Sequence, residues 1–103
     1  MAKEIILYNL KDSISDDEYL VYCKQKKGPF IRGLPSCSNF ELVRIEASAK
    51  GDIPYKYLGI VDVTSPSDWR RDTASEPFQE FLKEWTQMVS DFHILMGVTA
   101  YGD

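Results

Sequence analysis

Four apolar segments alternate with two helical patterns along this chain, and their order is the strongest constraint on its fold. The segments with strand character are 4–10, 39–47, 57–63 and 91–99. The first, third and last are apolar at odd and even positions alike, which is typical of strands covered on both faces. The second carries charged residues between its apolar ones, which indicates a place near the edge of a sheet.

Both helical patterns begin at a serine that can cap a helix. The first follows Ser15, with Glu18 completing a capping box, and is expected to end at 27–29, because glycine suits a helix end and proline cannot continue one. The second follows Ser65, is interrupted within 73–77 and then continues. Its second part shows the three- and four-residue spacing of an amphipathic helix in Phe78, Phe81, Leu82, Trp85, Met88 and Val89.

The order strand–helix–strand–strand–helix–strand predicts an α+β fold of the ferredoxin-like type. This fold has one four-stranded antiparallel sheet with two helices on one face. At 103 residues the chain is expected to form a single domain, 1–103. Because the helices cover only one face of a sheet that is apolar on both, we expect a homodimer in which two sheets pack face to face.

Charge and cysteine usage narrow the class of protein. A net charge of −4 argues against a nucleic-acid partner, and no segment has the length of a membrane span or of a signal peptide. Cys23 and Cys37 do not form a CxxC pair, so we expect reduced thiols and a cytoplasmic protein. No cofactor is expected, because the phosphate-binding glycine motifs are absent. No metal site is expected either, because His93 is the only histidine.

Three stretches carry a family resemblance: 22–37 (YCKQKKGPFIRGLPSC), 34–42 (LPSCSNFEL) and 89–97 (VSDFHILMG). In dimeric α+β barrel proteins, the first helix ends in a small-Pro turn, and a short turn then leads through a Leu-Pro pair into the second strand. The chain is similar to these proteins over essentially its whole length and most resembles their REDY-like branch. The resemblance implies a dimeric α+β barrel and a role in bacterial biosynthesis of prodigiosin, a red tripyrrole pigment.

One position separates the chain from another branch of the same superfamily. EthD-like proteins usually carry a histidine just before the small-Pro turn, where this sequence has Lys27. The acid/base role of that histidine is therefore not assigned to this chain. Lysines at the end of a helix suit the helix dipole, and the sequence gives Lys26 and Lys27 no other purpose.

His93 and Asp62 are the candidate catalytic residues. Imidazole titrates near neutral pH, so His93 is a candidate general acid or base. Asp62 lies in an apolar strand, where a carboxylate needs a partner, and it is a candidate for orienting His93 or binding a pyrrole N–H. The structural alternatives are a histidine packed within its strand and a carboxylate at a strand end with access to solvent.

The candidate ligand-binding residues are mostly aromatic. Tyr8, Tyr19, Tyr22 and Trp69 are expected to wall a pocket between helices and sheet that suits a flat aromatic or pyrrolic molecule. Arg44 is a candidate receptor for an anionic group. The alternatives are an ordinary aromatic core and a solvated charge.

These residues support two main hypotheses of function. In the first, the protein is a cofactor-free enzyme that cyclises or condenses a pathway intermediate, with His93 and Asp62 moving protons. In the second, it is a non-catalytic carrier or chaperone for an intermediate or for a partner enzyme of the pathway. Catalysis requires that His93 face the pocket, whereas carriage does not. A third alternative is a stress-response type of α+β barrel whose aromatic side chains fill the interior and leave no cavity.

Overall fold

The computed structural model describes residues 1–102 and contains one antiparallel sheet with helices on one face. Its strands are β1 (Ala2–Leu10), β2 (Cys37–Arg44), β3 (Tyr57–Val63) and β4 (Val89–Val98). Their spatial order, β2-β3-β1-β4, confirms the ferredoxin-like fold and the edge position of β2. Strands β1, β2 and β4 each begin two residues earlier than the apolar pattern predicts, because backbone pairing extends beyond it.

The first helical region is longer than the sequence predicts. Helix α1 (Asp16–Tyr22) begins at the expected capping box of Ser15 and Glu18. The prediction that it ends at 27–29 is wrong, because a π-helical turn, Cys23–Lys27, leads into helix α2 (Gly28–Arg32). Proline then stands in the first turn of α2, where its missing N–H costs little.

The π-helical turn keeps four residues on the buried side of this region. They recur every fourth position: Tyr19, Cys23, Lys27 and Ile31. From the first to the last is twelve residues in three turns, whereas three α-helical turns take about 11. The wider turn absorbs the extra residue, with the Gly28 N–H bonded to the Cys23 carbonyl. The lysine side chain is thereby directed towards the sheet.

The second helical region is interrupted, as the sequence predicts. Helix α3 (Pro66–Thr73) and helix α4 (Glu76–Thr86) are separated at Ala74. Each begins at a serine cap. The Ser65 hydroxyl accepts the Asp68 N–H at 3.1 Å at the start of α3, and Ser75 caps α4 in the same way. None of the helices within residues 1–102 has the length and apolar character that crossing a membrane requires.

The register of the strands assigns each residue to one of the two faces of the sheet. Even-numbered residues of β1, such as Glu4 and Tyr8, are buried beneath the helices. Odd-numbered residues lie on the opposite side, which we call the open face. Its apolar members come from three neighbouring strands: Ile5, Leu7, Leu58, Ile60 and Leu95. Leu95 is 51% exposed, so this face is incompletely covered within the single chain.

Replacing Gly28 with alanine should destabilise the protein, although alanine favours helices by about 1 kcal/mol over glycine. A Cβ atom at Gly28 would lie 2.8 Å from the Cys23 carbonyl oxygen, so the π-helical turn would have to shift. We expect the free energy of unfolding in urea to fall by about 1–3 kcal/mol. Gly59→Ala is the control, because its methyl would stand 3.6 Å from Ile6, an ordinary contact. A Gly28→Ala variant as stable as the control would contradict this geometry.

Candidate functional site

A cavity of about 230 Å³ lies between the helices and the sheet. Its aromatic walls are Phe40, Trp69, Phe78, Phe81 and Trp85, and its polar lining residues are Glu4, Lys27, Thr73 and Gln79. A cavity of about 150 Å³ is enough to hold benzene, so this one admits a substituted ring or two small rings. The filled interior that the third alternative predicts is therefore not observed.

Lys27 is buried in this site and, within residues 1–102, forms no ion pair with an acidic side chain. Its side chain comes from the end of the π-helical turn, and the residue is only 4% exposed. Its Nζ donates to the hydroxyl oxygens of Tyr19, at 3.1 Å, and Tyr8, at 3.3 Å. It also lies 4.8 Å from the ring centroid of Trp85, within range of a cation–π interaction. Burial lowers the pKa of Lys27 to about 8, because the ammonium loses its hydration.

Tyr8, Tyr19 and Tyr57 form a tyrosine cluster that holds this amine in place. The hydroxyls of Tyr8 and Tyr19 are 2.6 Å apart, and the Trp85 Nε1 donates to Tyr19 at 3.0 Å. Tyr57 stacks on Tyr8 with ring centroids 5.6 Å apart. Burial raises the pKa of Tyr8 and Tyr19 far above the usual range, so both phenols stay neutral. The cluster thus offers Lys27 oxygen acceptors without offering it a negative charge.

Glu4 is the second ionisable residue that lines the cavity. It is 7% exposed, and within residues 1–102 its carboxyl group has no hydrogen-bond or ion-pair partner. Loss of hydration raises the pKa of Glu4 to about 7. A carboxyl group that exchanges its proton near neutral pH in a cavity has the property required of a general acid or base.

Of the predicted ligand-binding residues, Trp69 lines the cavity. Tyr8 and Tyr19 contact Lys27 from the neighbouring core. Tyr22 is buried in that core, and its hydroxyl has no hydrogen-bond partner in the part of the chain that the structure describes. The ligand-binding roles themselves stay predictions.

Arg44 lies outside this group of residues. It is at the end of β2, where its Nε binds the Glu46 carboxylate at 3.1 Å and its side chain is exposed to solvent. The structure does not bring it to the cavity, so its predicted contact with an anionic ligand has no support from the cavity geometry.

His93 and Asp62 lie on the open face, on the other side of the sheet from the cavity. His93 is paired with Leu7, and Asp62 with Lys3, whose ammonium it binds. Because these partners are four residues apart on β1, the Cα atoms of His93 and Asp62 are at least about 13 Å apart. The expected orientation of His93 by Asp62 is not observed, nor does His93 face the cavity. Their catalytic roles remain predictions that this arrangement does not favour.

Sequence reasoning missed the two ionisable residues that do line the cavity. Assigning Lys27 to the helix dipole alone was wrong, because its side chain is buried. The four-residue spacing of Tyr19, Cys23, Lys27 and Ile31 was the signal that would have identified it. Glu4 was identifiable by its parity, because it lies on the same face of β1 as Tyr8.

The described part of the chain, 1–102, contains no group of three or more His, Cys, Asp and Glu side chains placed to hold a metal ion. Both cysteines are free thiols, and burial raises the pKa of each.

A family model described as "REDY-like protein HapK" matches residues 2–99. The chain belongs to this family. Among curated proteins, none shows significant sequence similarity to it.

Solved structures with the same fold include HapK from Hahella chejuensis, which is 21% identical with a TM-score of 0.80, over 100% of this chain and 97% of that chain. SnoaB, a cofactor-independent oxygenase from Streptomyces nogalater, is 13% identical with a TM-score of 0.79, over 98% and 94%. A dimeric ferredoxin-like protein from Thermobifida fusca is 16% identical with a TM-score of 0.72, over 95% and 90%. At these identities the likeness shows the fold alone.

Glu4→Gln should stabilise the protein at pH 8. Between the unfolded pKa of 4.5 and the folded pKa of about 7, the folded chain keeps a proton that the unfolded chain has lost. The contribution of neutral Glu4 to the free energy of unfolding is therefore complete below pH 4.5 and is lost as the pH rises through 7. We expect Glu4→Gln to raise the unfolding free energy at pH 8 by about 2 kcal/mol and to flatten its pH dependence.

Urea denaturation between pH 4 and pH 8 measures this effect. Glu80→Gln is the matched control, because Glu80 is exposed and its ion pair with Lys83 contributes little. Parallel pH profiles for wild type and Glu4→Gln would show that Glu4 is hydrated in the folded protein.

Proposed function

We propose that this protein binds a small aromatic or pyrrolic intermediate in its helix–sheet cavity and acts in the biosynthesis of a prodigiosin-type tripyrrole pigment. The observation that carries the proposal is a cavity with aromatic walls and two ionisable side chains in a chain of the HapK family. Aromatic faces suit flat rings by stacking. The volume of about 230 Å³ favours an intermediate of one or two rings over a complete tripyrrole.

Glu4 and Lys27 give the cavity its polar specificity. A carboxylate at Glu4 is an acceptor for a ring N–H, and the Lys27 amine is a donor to a carbonyl or an anion. Because their pKa values lie near 7 and 8, both exchange protons near neutral pH. The pair therefore suits a cofactor-free cyclisation or condensation, in which one group removes a proton and the other supplies one.

A non-catalytic carrier or chaperone is the second candidate. It is favoured by the position of His93, which lies on the open face and not in the cavity. In this role the cavity would shield a reactive intermediate and release it unchanged to a partner enzyme of the pathway.

We also propose that a second copy of the chain covers the open face. Support comes from its apolar residues on three adjacent strands and from a dimeric neighbour of the same fold. The free thiols of Cys23 and Cys37 fit a reducing compartment, so we place the protein in the cytoplasm.

A turnover assay with a bipyrrole intermediate separates the enzyme from the carrier. For an enzyme we expect a new product by mass spectrometry, with a rate that falls by about 10²–10⁴-fold in Glu4→Gln, the usual range for a lost acid/base group. His93→Ala is the control and should keep the wild-type rate, because His93 is on the other face.

The same bipyrrole should quench the fluorescence of Trp69 and Trp85, which line the cavity. Quenching without turnover would identify a carrier. If the bipyrrole causes no quenching and no turnover is observed, a bipyrrole is excluded as a ligand of this cavity.

Leu95→Glu should convert the dimer to a monomer, because a carboxylate would be buried between two sheets without a partner. Val21→Glu on α1 is the matched control, with Val21 52% exposed and Leu95 51%. Light scattering after size-exclusion chromatography measures the mass of each. An unchanged mass in Leu95→Glu, or a monomeric wild type, would remove the proposed interface.

A further inference from the structure

We propose that Lys27 captures an aromatic aldehyde or ketone inside the cavity as a reversible imine. This inference rests on the proposed function, because it names the class of ligand that the same cavity would take.

The position of Lys27 is the first argument. A buried lysine is normally paired with a carboxylate, yet this amine is held by the phenol oxygens of Tyr8 and Tyr19 and by the face of Trp85. Its side chain also lines the cavity, and its Nζ lies 4.8 Å and 5.7 Å from the ring centroids of Trp85 and Phe40, which line the same cavity. Such a burial costs stability, which is the pattern of a residue kept for its chemistry.

The surroundings of the amine are the second argument. The titratable groups that face it are Tyr8 from β1, Tyr19 from α1 and Cys23 from the π-helical turn, with Glu4 lining the same cavity. Burial raises the pKa of the two phenols and the thiol, so these three groups are uncharged near neutral pH. Glu4 becomes charged above its pKa of about 7, but within residues 1–102 it forms no ion pair with Lys27.

The neutral amine is the nucleophile in imine formation, and burial increases the fraction of Lys27 in this neutral form. Because the pKa of Lys27 is about 8, its neutral fraction at pH 7 exceeds that of a surface lysine on the order of a hundredfold. Desolvation of a lysine in an apolar site is a recognised way to activate it.

The reaction balances without an oxidant or a cofactor. The lone pair of the Lys27 Nζ forms a bond to the carbonyl carbon, and the carbonyl oxygen gains a proton to give a carbinolamine. The C–O bond then breaks, and the oxygen leaves as water with the two protons of the amine. Protonated Glu4 is the acid in the cavity suited to supply a proton to the leaving hydroxyl, and it recovers one from the iminium nitrogen.

An imine here serves either role of the protein. In a carrier it holds a reactive carbonyl compound covalently until hydrolysis releases it. In an enzyme the protonated imine is a better electrophile than the free carbonyl and promotes condensation with a second ring.

Reductive trapping tests the proposal with pyrrole-2-carbaldehyde as the probe. The protein is incubated with the aldehyde and cyanoborohydride, and we expect a mass gain equal to the aldehyde less one oxygen atom. Peptide mapping should place the adduct on Lys27. The adduct on Lys27 should form fastest between about pH 7 and pH 8, because neutral Lys27 and protonated Glu4 are both required, whereas surface lysines respond at higher pH.

Two variants control for non-specific labelling. Lys26→Met removes an exposed neighbour, which pairs with Glu84, and should be labelled like wild type. Lys27→Met should lose the adduct at least tenfold, and circular dichroism checks that it folds. If it does not fold, protection of Lys27 in the wild-type protein by 2-methylpyrrole, which occupies the cavity but has no carbonyl, replaces it as the control.

The binding of 2-methylpyrrole, followed by tryptophan fluorescence, separates the two proposals. Binding together with an adduct on Lys27 supports both. Binding without an adduct on Lys27, or labelling of Lys24 and Lys26 at the same rate, overturns the imine and leaves the cavity as a ligand site. If 2-methylpyrrole does not bind and pyrrole-2-carbaldehyde forms no adduct, both the pyrrolic ligand and the imine are overturned.

Discussion

The burial of one lysine amine against two phenol oxygens connects most of the structure described above. Through Lys27, Tyr8 and Tyr19, this contact joins β1, α1 and the π-helical turn, and the ring of Trp85 adds α4. The two hydroxyls replace part of the hydration that the amine loses. No carboxylate in the described chain completes the replacement, so the amine remains destabilised and chemically responsive.

The π-helical turn is the backbone counterpart of this contact. In a regular α-helix, residues spaced four apart drift around the helix axis, because one turn takes only about 3.6 residues. Tyr19, Cys23, Lys27 and Ile31 would then not all face the sheet. One extra residue in the turn restores the alignment. π-helical turns are rare and occur often at functional sites. Here the turn ends at Lys27, which lines the cavity.

The fold was predictable from sequence to a greater degree than the site. Capping residues, apolar runs and their order are local signals, and they gave the strand order and the break between α3 and α4. The faces of the strands were not predictable, because alternation shows that two faces exist without showing which one meets the helices. His93 was therefore a catalytic candidate without a known face, and it lies on the open face, whereas Glu4 was overlooked. Lys27 was missed because Gly28 and Pro29 were interpreted as a helix end.

The two ionisable residues of the cavity have opposite relations to pH, and together they favour one kind of ligand. Glu4 loses its proton above about pH 7, and Lys27 keeps its proton below about pH 8. In the interval between these values both are mainly charged in an apolar site, which is the least favourable state for the folded chain. A ligand that donates an N–H to Glu4 and offers a carbonyl to Lys27 relieves both costs at once. Selective binding of such a molecule therefore follows from the same burial that lowers the stability of the empty protein.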